Sequence, residues 1–182
     1  MITKEQYVNA QKKAIKFFEK AHIAITDEEK QRIEVVDFNL GHIDRMGLEI
    51  LVYVNTQKVC AKELVVLPGQ SCAEHMHPTV NGVSGKEETF RCRWGKVYLY
   101  VSGPATENIQ AKMNPDLEGN VTVFHEIVLN PGEQHILYPE TLHWFQAGPE
   151  GAIVSEFSTT NTDEMDVFTD QRITRFTKVQ DE

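Results

Sequence analysis

The chain has 182 residues, of which 41% are hydrophobic, enough to bury one sizeable core, and its formal net charge is −9. With no basic stripe to offset it, that charge argues against a nucleic-acid partner and equally against an anionic membrane surface. The opening Met1-Ile2-Thr3-Lys4-Glu5-Gln6 lacks the apolar centre of a signal peptide, and no run approaches the roughly 20 apolar residues of a membrane span, so a cytosolic protein is expected.

In chain order, Tyr7, Ala10, Ala14, Phe17, Phe18 and Ala21 recur at helical spacing, and Thr3 with Gln6 forms a capping box, predicting an amphipathic helix of about five turns. Thr26-Asp27-Glu28-Glu29 repeats the capping signal and opens a shorter helix to about Ile33. From there the pattern changes to short runs rich in β-branched and aromatic residues, separated by turn signals. Strands are expected at Leu48–Val54, Glu63–Leu67, Thr89–Trp94, Val97–Val101, Val121–Leu129, His135–Tyr138 and Ala152–Phe157. Two helices followed by many short strands point to a mainly β fold, a closed antiparallel barrel or jelly roll. The organisation is one domain over residues 1–182, with N-terminal helices to 34, a barrel from 47 to 158 and a C-terminal segment from 159, whose acidic end Gln180-Asp181-Glu182 is expected to fray. Cys60, Cys72 and Cys92 are odd in number and have no Cys-x-x-Cys pairing, so they read as reduced, buried thiols.

His75-Met76-His77, followed by Glu88 and later by His143, supplies three imidazoles and one carboxylate. Histidines at i and i+2 on a strand share a face, so one strand can deliver both rings to one ion. Pro68-Gly69-Gln70 before the pair and Pro78, Asn81-Gly82 and Ser84-Gly85 after it favour that strand-and-turn reading. Gly69 precedes His75 by six residues and Glu88 precedes Gly95 by seven, giving G-x5-H-x-H and E-x6-G. This resembles the first cupin motif, with a longer hairpin loop between His77 and the glutamate. Glu87 and Glu88 are both candidates for the carboxylate, and only Glu88 keeps the spacing to Gly95. Among the other histidines, His135 is the rival to His143, which is preferred because its surroundings resemble the second cupin motif.

The resemblance narrows further. Lys62-Glu63-Leu64-Val65, Pro68-Gly69-Gln70, His75-Met76-His77-Pro78, the run Lys86–Arg93, Gly95–Tyr100 and His143–Gly148 together resemble the bacterial D-lyxose ketol-isomerases, over about Ile25 to Arg172. What that implies is a cupin-type barrel and a manganese-dependent isomerase of free D-lyxose, and of D-mannose, working as a homodimer.

An aldose–ketose isomerase must move a proton between C2 and C1, and a divalent ion that binds the substrate oxygens stabilises the charge of the enediolate. Nitrogen and oxygen donors without thiolate suit Mn²⁺, Fe²⁺, Co²⁺ or Zn²⁺; Mn²⁺ is chosen on the resemblance. Glu156, a carboxylate within an apolar strand, is the leading base, with Lys62 and Asp166 assisting. Phe90, Trp144 and Phe145 are candidates for an apolar wall against the sugar, and Arg172 for a hydroxyl contact, with Arg91 and Arg93 ranked below. Two other readings stay open: a cupin oxygenase or phosphosugar isomerase using the same ligands, and a non-catalytic sugar-binding cupin.

Overall fold

The computed structural model describes residues 1–180; of the end expected to fray, Gln180 is instead paired with Thr3 in a short parallel ladder, and Asp181 and Glu182 lie outside the described residues. Helix α1 (Lys4–Lys20) carries the expected capping box between Thr3 and Gln6, and helix α2 (Asp27–Arg32) the one between Thr26 and Glu29. Ala14, Phe17 and Phe18 of α1 form its buried stripe and pack on Leu51, Val65 and Ile153 of the sheet beneath. Among the described residues no helix is long and apolar enough to cross a membrane.

The rest is mainly antiparallel sheet. Its strands are β1 (Ile2–Thr3), β2 (Glu34–Val36), β3 (Leu48–Asn55), β4 (Cys60–Val66), β5 (Ser71–Met76), β6 (Glu88–Val101), β7 (His125–Leu129), β8 (Gln134–Leu137), β9 (His143–Ser158), β10 (Val167–Phe168) and β11 (Val179–Gln180). The main sheet runs β10-β5-β9-β4-β3-β2, with β6 paired to β7, β8 and β9. It curls into a cupin-type barrel because two long strands serve both of its halves. The first half of β9 pairs with β5 and the end of β6, and its second half pairs with β4 and the start of β6.

These two strands depart from the sequence expectation. Residues 89–94 and 97–101 are parts of one strand, and the predicted strand at 152–157 begins nine residues earlier, at His143. The turn signals at Gly95 and Gly151 mark irregularities within continuous strands. Gly95 adopts φ +72°, and a Cβ there would collide with the Gly151 carbonyl, so the two strands approach this closely because residue 95 is glycine. The stretch predicted as a strand from Val121 enters the sheet only at His125, and the chain before it is irregular.

Alternation decides what faces inward. Leu64 on β4, Phe90 and Cys92 on β6, and Phe145 and Val154 on β9 fill the barrel interior. After β9 an irregular segment turns back across one end of the barrel. It pairs with β5 through β10, and its Thr169 hydroxyl donates to the buried Glu74 carboxylate at 2.6 Å. Cys60, Cys72 and Cys92 are all free and buried.

Candidate metal centre and active-site cavity

Three histidines converge inside the barrel. His75 lies directly opposite His143 across the β5–β9 pairing, and His77 follows two residues later on the same face. The ring centroids of His75 and His143 are 4.2 Å apart, and His77 lies 5.1 and 5.3 Å from them. The three offer ligand atoms within 4.8 Å of one another, a geometry that can hold a metal ion. Glu88 completes the set: its carboxylate lies 3.4 Å from His77 Nε2 and 3.7 Å from His143 Nε2. Glu87, the other candidate, is exposed, and His135 is not part of the cluster.

Each imidazole is aimed by its other nitrogen. The Nδ1–H groups of His75 and His143 donate to the carbonyls of Ala73 and Thr141 at 2.8 and 2.9 Å, while that of His77 donates to the Asp166 carboxylate at 2.6 Å. All three Nε2 atoms are thereby turned toward the centre, as second partners of metal-ligating histidines commonly arrange. His77 Nε2 and His143 Nε2 are buried without a hydrogen-bond partner. Orphaned buried donors of this kind are costly unless something fills the space between them. A divalent cation fits these residues in number, charge and donor type.

The protonation states suit a ligand set. Burial and the neighbouring His143 ring push His75 down to about 3, and burial pushes His143 down to about 4, so both are neutral near pH 7. Burial also opposes the charged form of His77, but the Asp166 carboxylate bonded to its Nδ1 and the Glu88 carboxylate facing its Nε2 overcome this and hold it at about 9. A metal can take His77 Nε2 only after a proton leaves it. Metal binding near neutral pH is therefore expected to release about one proton per site, which titration calorimetry in buffers of different ionisation enthalpy measures. A release of zero would contradict this assignment. His77→Ala is expected to lose metal and activity together; one ion per chain bound with parental affinity would remove His77 from the set.

Beside the histidines lies a buried charge cluster. Glu156 accepts from Lys86 Nζ at 3.0 Å and lies 3.3 Å from Lys62 Nζ. Lys62 also donates to Asp163 at 2.7 Å and to Asn161 at 3.1 Å, and Lys86 pairs with Glu88 at 2.7 Å and Asp163 at 3.1 Å. Arg175 links Asp163, at 3.3 Å, to Glu34, at 2.7 Å. Burial alone would raise the Glu88 carboxyl, but the Lys86 ammonium and the facing imidazoles hold it well below the usual range. The same balance, struck with Lys86, Lys62 and Arg175, lowers Asp163.

These groups line one cavity together with an apolar wall that includes Phe90 and Phe145, whose rings lie 4.7 Å apart. The sequence expectations divide here. Lys62, Glu156, Asp166, Phe90 and Phe145 line the cavity, and Asp166 stands behind His77 as its hydrogen-bond partner. Trp144 does not reach it: alternation on β9 turns it outward, where it stacks on Tyr100 at 4.0 Å and its indole donates to Val123. Arg172 is likewise outside, its side chain 55% exposed and paired with Asp170. Arg91 and Arg93, which alternate with the inward Phe90 and Cys92, point away as well, toward Gln134 and Ser155. Sequence reasoning missed Lys86, Asp163 and Arg175. For Lys86 the available signal was its place two residues before Glu88, on the same alternating face.

The sequence model of the D-lyxose isomerase family matches residues 6–182. The chain belongs to that family. It is 58% identical to the D-lyxose/D-mannose isomerase of Thermosediminibacter oceani, over the whole of both chains. It is also 58% identical to the D-lyxose ketol-isomerase of a Thermofilum species, covering 98% of this chain and 99% of the relative. Among solved structures, L-ribose isomerase of Acinetobacter sp. DL28 in complex with L-ribose superposes with a TM-score of 0.78 at 16% identity, covering 98% of both chains. At that identity the likeness shows a shared fold. Membership of the family makes this chain an isomerase.

Proposed function

We propose that this member of the D-lyxose isomerase family interconverts D-lyxose and D-xylulose, with D-mannose and D-fructose as a second pair, and depends on a divalent metal, Mn²⁺ by preference. The observation that carries the reading is a four-donor centre with orphaned buried atoms, set directly against a carboxylate held by two buried lysines. His75, His77, Glu88 and His143 would hold the ion, which when bound supplies Lewis-acid stabilisation of negative charge on the substrate oxygens.

The chain's own groups account for the rest. Isomerisation moves the C2 hydrogen to C1 and the O2 proton to O1, so that a C1 aldehyde becomes a C2 ketone. Glu156 takes the C2 proton and delivers it to C1 through a cis-enediol, while Lys86 and Lys62 hold its carboxylate in position. Lys62, at the same cluster, is placed to donate to a sugar oxygen. Asp166 positions His77, and Phe90 and Phe145 cover the carbon face of the sugar. A hydride shift would use nearly the same residues; deuterium from heavy water appearing at C1 of the ketose distinguishes proton transfer from it.

The charge balance favours a free sugar over a phosphosugar. Lys62, Lys86 and Arg175, the cations of the cavity, are each already paired with carboxylates, leaving no spare positive charge for a phosphate dianion. We further propose a cytosolic homodimer. The exposed Phe157 and Ile136, both aligned with Thr89 on the outer sheet face, support a self-association surface.

The test is ketose formation from D-lyxose by chelator-stripped protein, with and without added Mn²⁺. Metal-dependent conversion is expected. Absence of conversion of D-lyxose and D-mannose by protein shown to have rebound metal would overturn the reading, and sedimentation or light scattering separately tests the dimer.

A further inference from the structure

Phe38 occupies a backbone conformation that its side chain disfavours. Asp37 to Leu40 form a tight turn, closed by the Leu40 N–H to the Asp37 carbonyl at 3.0 Å, with φ +53° at Phe38 and +60° at Asn39. Turns with positive φ at both central positions ordinarily take Asn or Gly there, and a bulky residue in that region is an outlier. The surroundings enforce it. Asp37, fully buried, accepts from the Asn39 and Gly41 N–H groups at 2.9 and 3.0 Å. The C-terminal segment fastens the same turn: Asp37 N–H donates to the Thr177 hydroxyl, and Thr174 N–H to the Phe38 carbonyl.

What this conformation achieves is the position of one ring. Phe38 is 2% exposed and lines the active-site cavity. It meets Phe168 edge-on at 5.7 Å, and Phe168 in turn lies 5.6 Å from the His75 ring. A continuous aromatic row thus runs from the metal centre to Phe38. Backbone strain that the structure over-determines is a reason to look for function.

We infer that Phe38 is a specificity-determining residue, its ring setting how much carbon chain beyond the reacting C1–C2 end the cavity accepts and hence the preference between five- and six-carbon aldoses. This rests on the sugar-isomerase reading above. D-Mannose repeats the configuration of D-lyxose at C2 to C4 and adds one carbon with its hydroxyl. An apolar wall discriminates such a pair by volume, and one carbon in an apolar pocket is worth roughly 10- to 200-fold in kcat/KM.

The experiment compares the metal-loaded parent with Phe38→Ala, Phe38→Leu and Phe38→Gly, measuring kcat/KM on D-lyxose and D-mannose alongside thermal melting. The mannose-to-lyxose ratio is expected to rise about tenfold in Ala and Gly and by less in Leu. Phe38→Leu keeps most of the packing, so it answers the question if the smaller variants fail to fold. Phe38→Gly relieves the positive φ, so a purely conformational role would leave its ratio at the parental value. Folded, active variants whose ratio stays within about twofold of the parent would overturn the assignment alone. A parent inactive on both sugars would overturn the underlying reading and this assignment with it.

Discussion

Glu156→Gln is expected to lower kcat on D-lyxose by about 1,000-fold while leaving metal content per chain unchanged. Glu156 faces the cavity, where Lys86 at 3.0 Å and Lys62 at 3.3 Å keep its carboxylate anchored beside the three histidines. Glutamine preserves the volume but cannot accept and return a proton. The proposed ligands are His75, His77, His143 and Glu88, so on that assignment the substitution removes none. Its amide will still meet two ammonium groups with one acceptor oxygen, and a modest stability loss should accompany the kinetic one. Steady-state kinetics with metal analysis of the same preparation decides the matter. Retention of most of the activity would mean that another group moves the proton.

Lys86→Met is expected to cost about 3–5 kcal/mol of stability at neutral pH, a fall in Tm of roughly 10 °C for a chain of this size, and to abolish turnover. Lys86 is 3% exposed and pairs with Glu88, Glu156 and Asp163 at 2.7 to 3.1 Å. Methionine fills the space but leaves these carboxylates short of a counter-charge in a buried setting. The pH dependence has a definite sign. Glu88 and Asp163 are held well below the usual carboxylate range, partly by this lysine, so they stabilise the fold at neutral pH and lose that contribution as the solution becomes strongly acidic. The gap between parent and variant should therefore be full near pH 7 and narrow in acid. Melting curves across that range test this; a variant within about 2 °C of the parent at pH 7 would show that the cluster does not need Lys86.

Much of the candidate metal site was legible from spacing. His75 and His77 share a face because strand residues alternate, and the E-x6-G spacing selected Glu88 over Glu87, which the structure leaves exposed. Alternation also contains the information that Trp144 and Phe145 point opposite ways, but choosing which faces the cavity requires knowing that His143 lies on the same strand. The sequence placed that strand nine residues too late, and Pro149 and Gly151 lie within the part it left out. In the assembled barrel they mark an irregularity in a strand held on both sides.

Arg172 and Arg175 show the opposite case. Both lie in irregular chain with no period to orient them, and only two residues separate one exposed at 55% from one exposed at 12%. The Asp163 and Glu34 that hold Arg175 come from distant parts of the sequence. Composition, capping boxes, strand alternation and the resemblance carried by the histidine motif determined the fold class, the helices and the grouping of the three histidines, because each depends on local geometry or on a short ordered pattern. The charge cluster around Lys86, the aim of the imidazoles through Asp166 and two carbonyls, and the turn that holds Phe38 were decided only by tertiary structure. Buried charges, ring orientation and backbone strain depend on partners brought together across the barrel, and those partners have no fixed spacing in the chain.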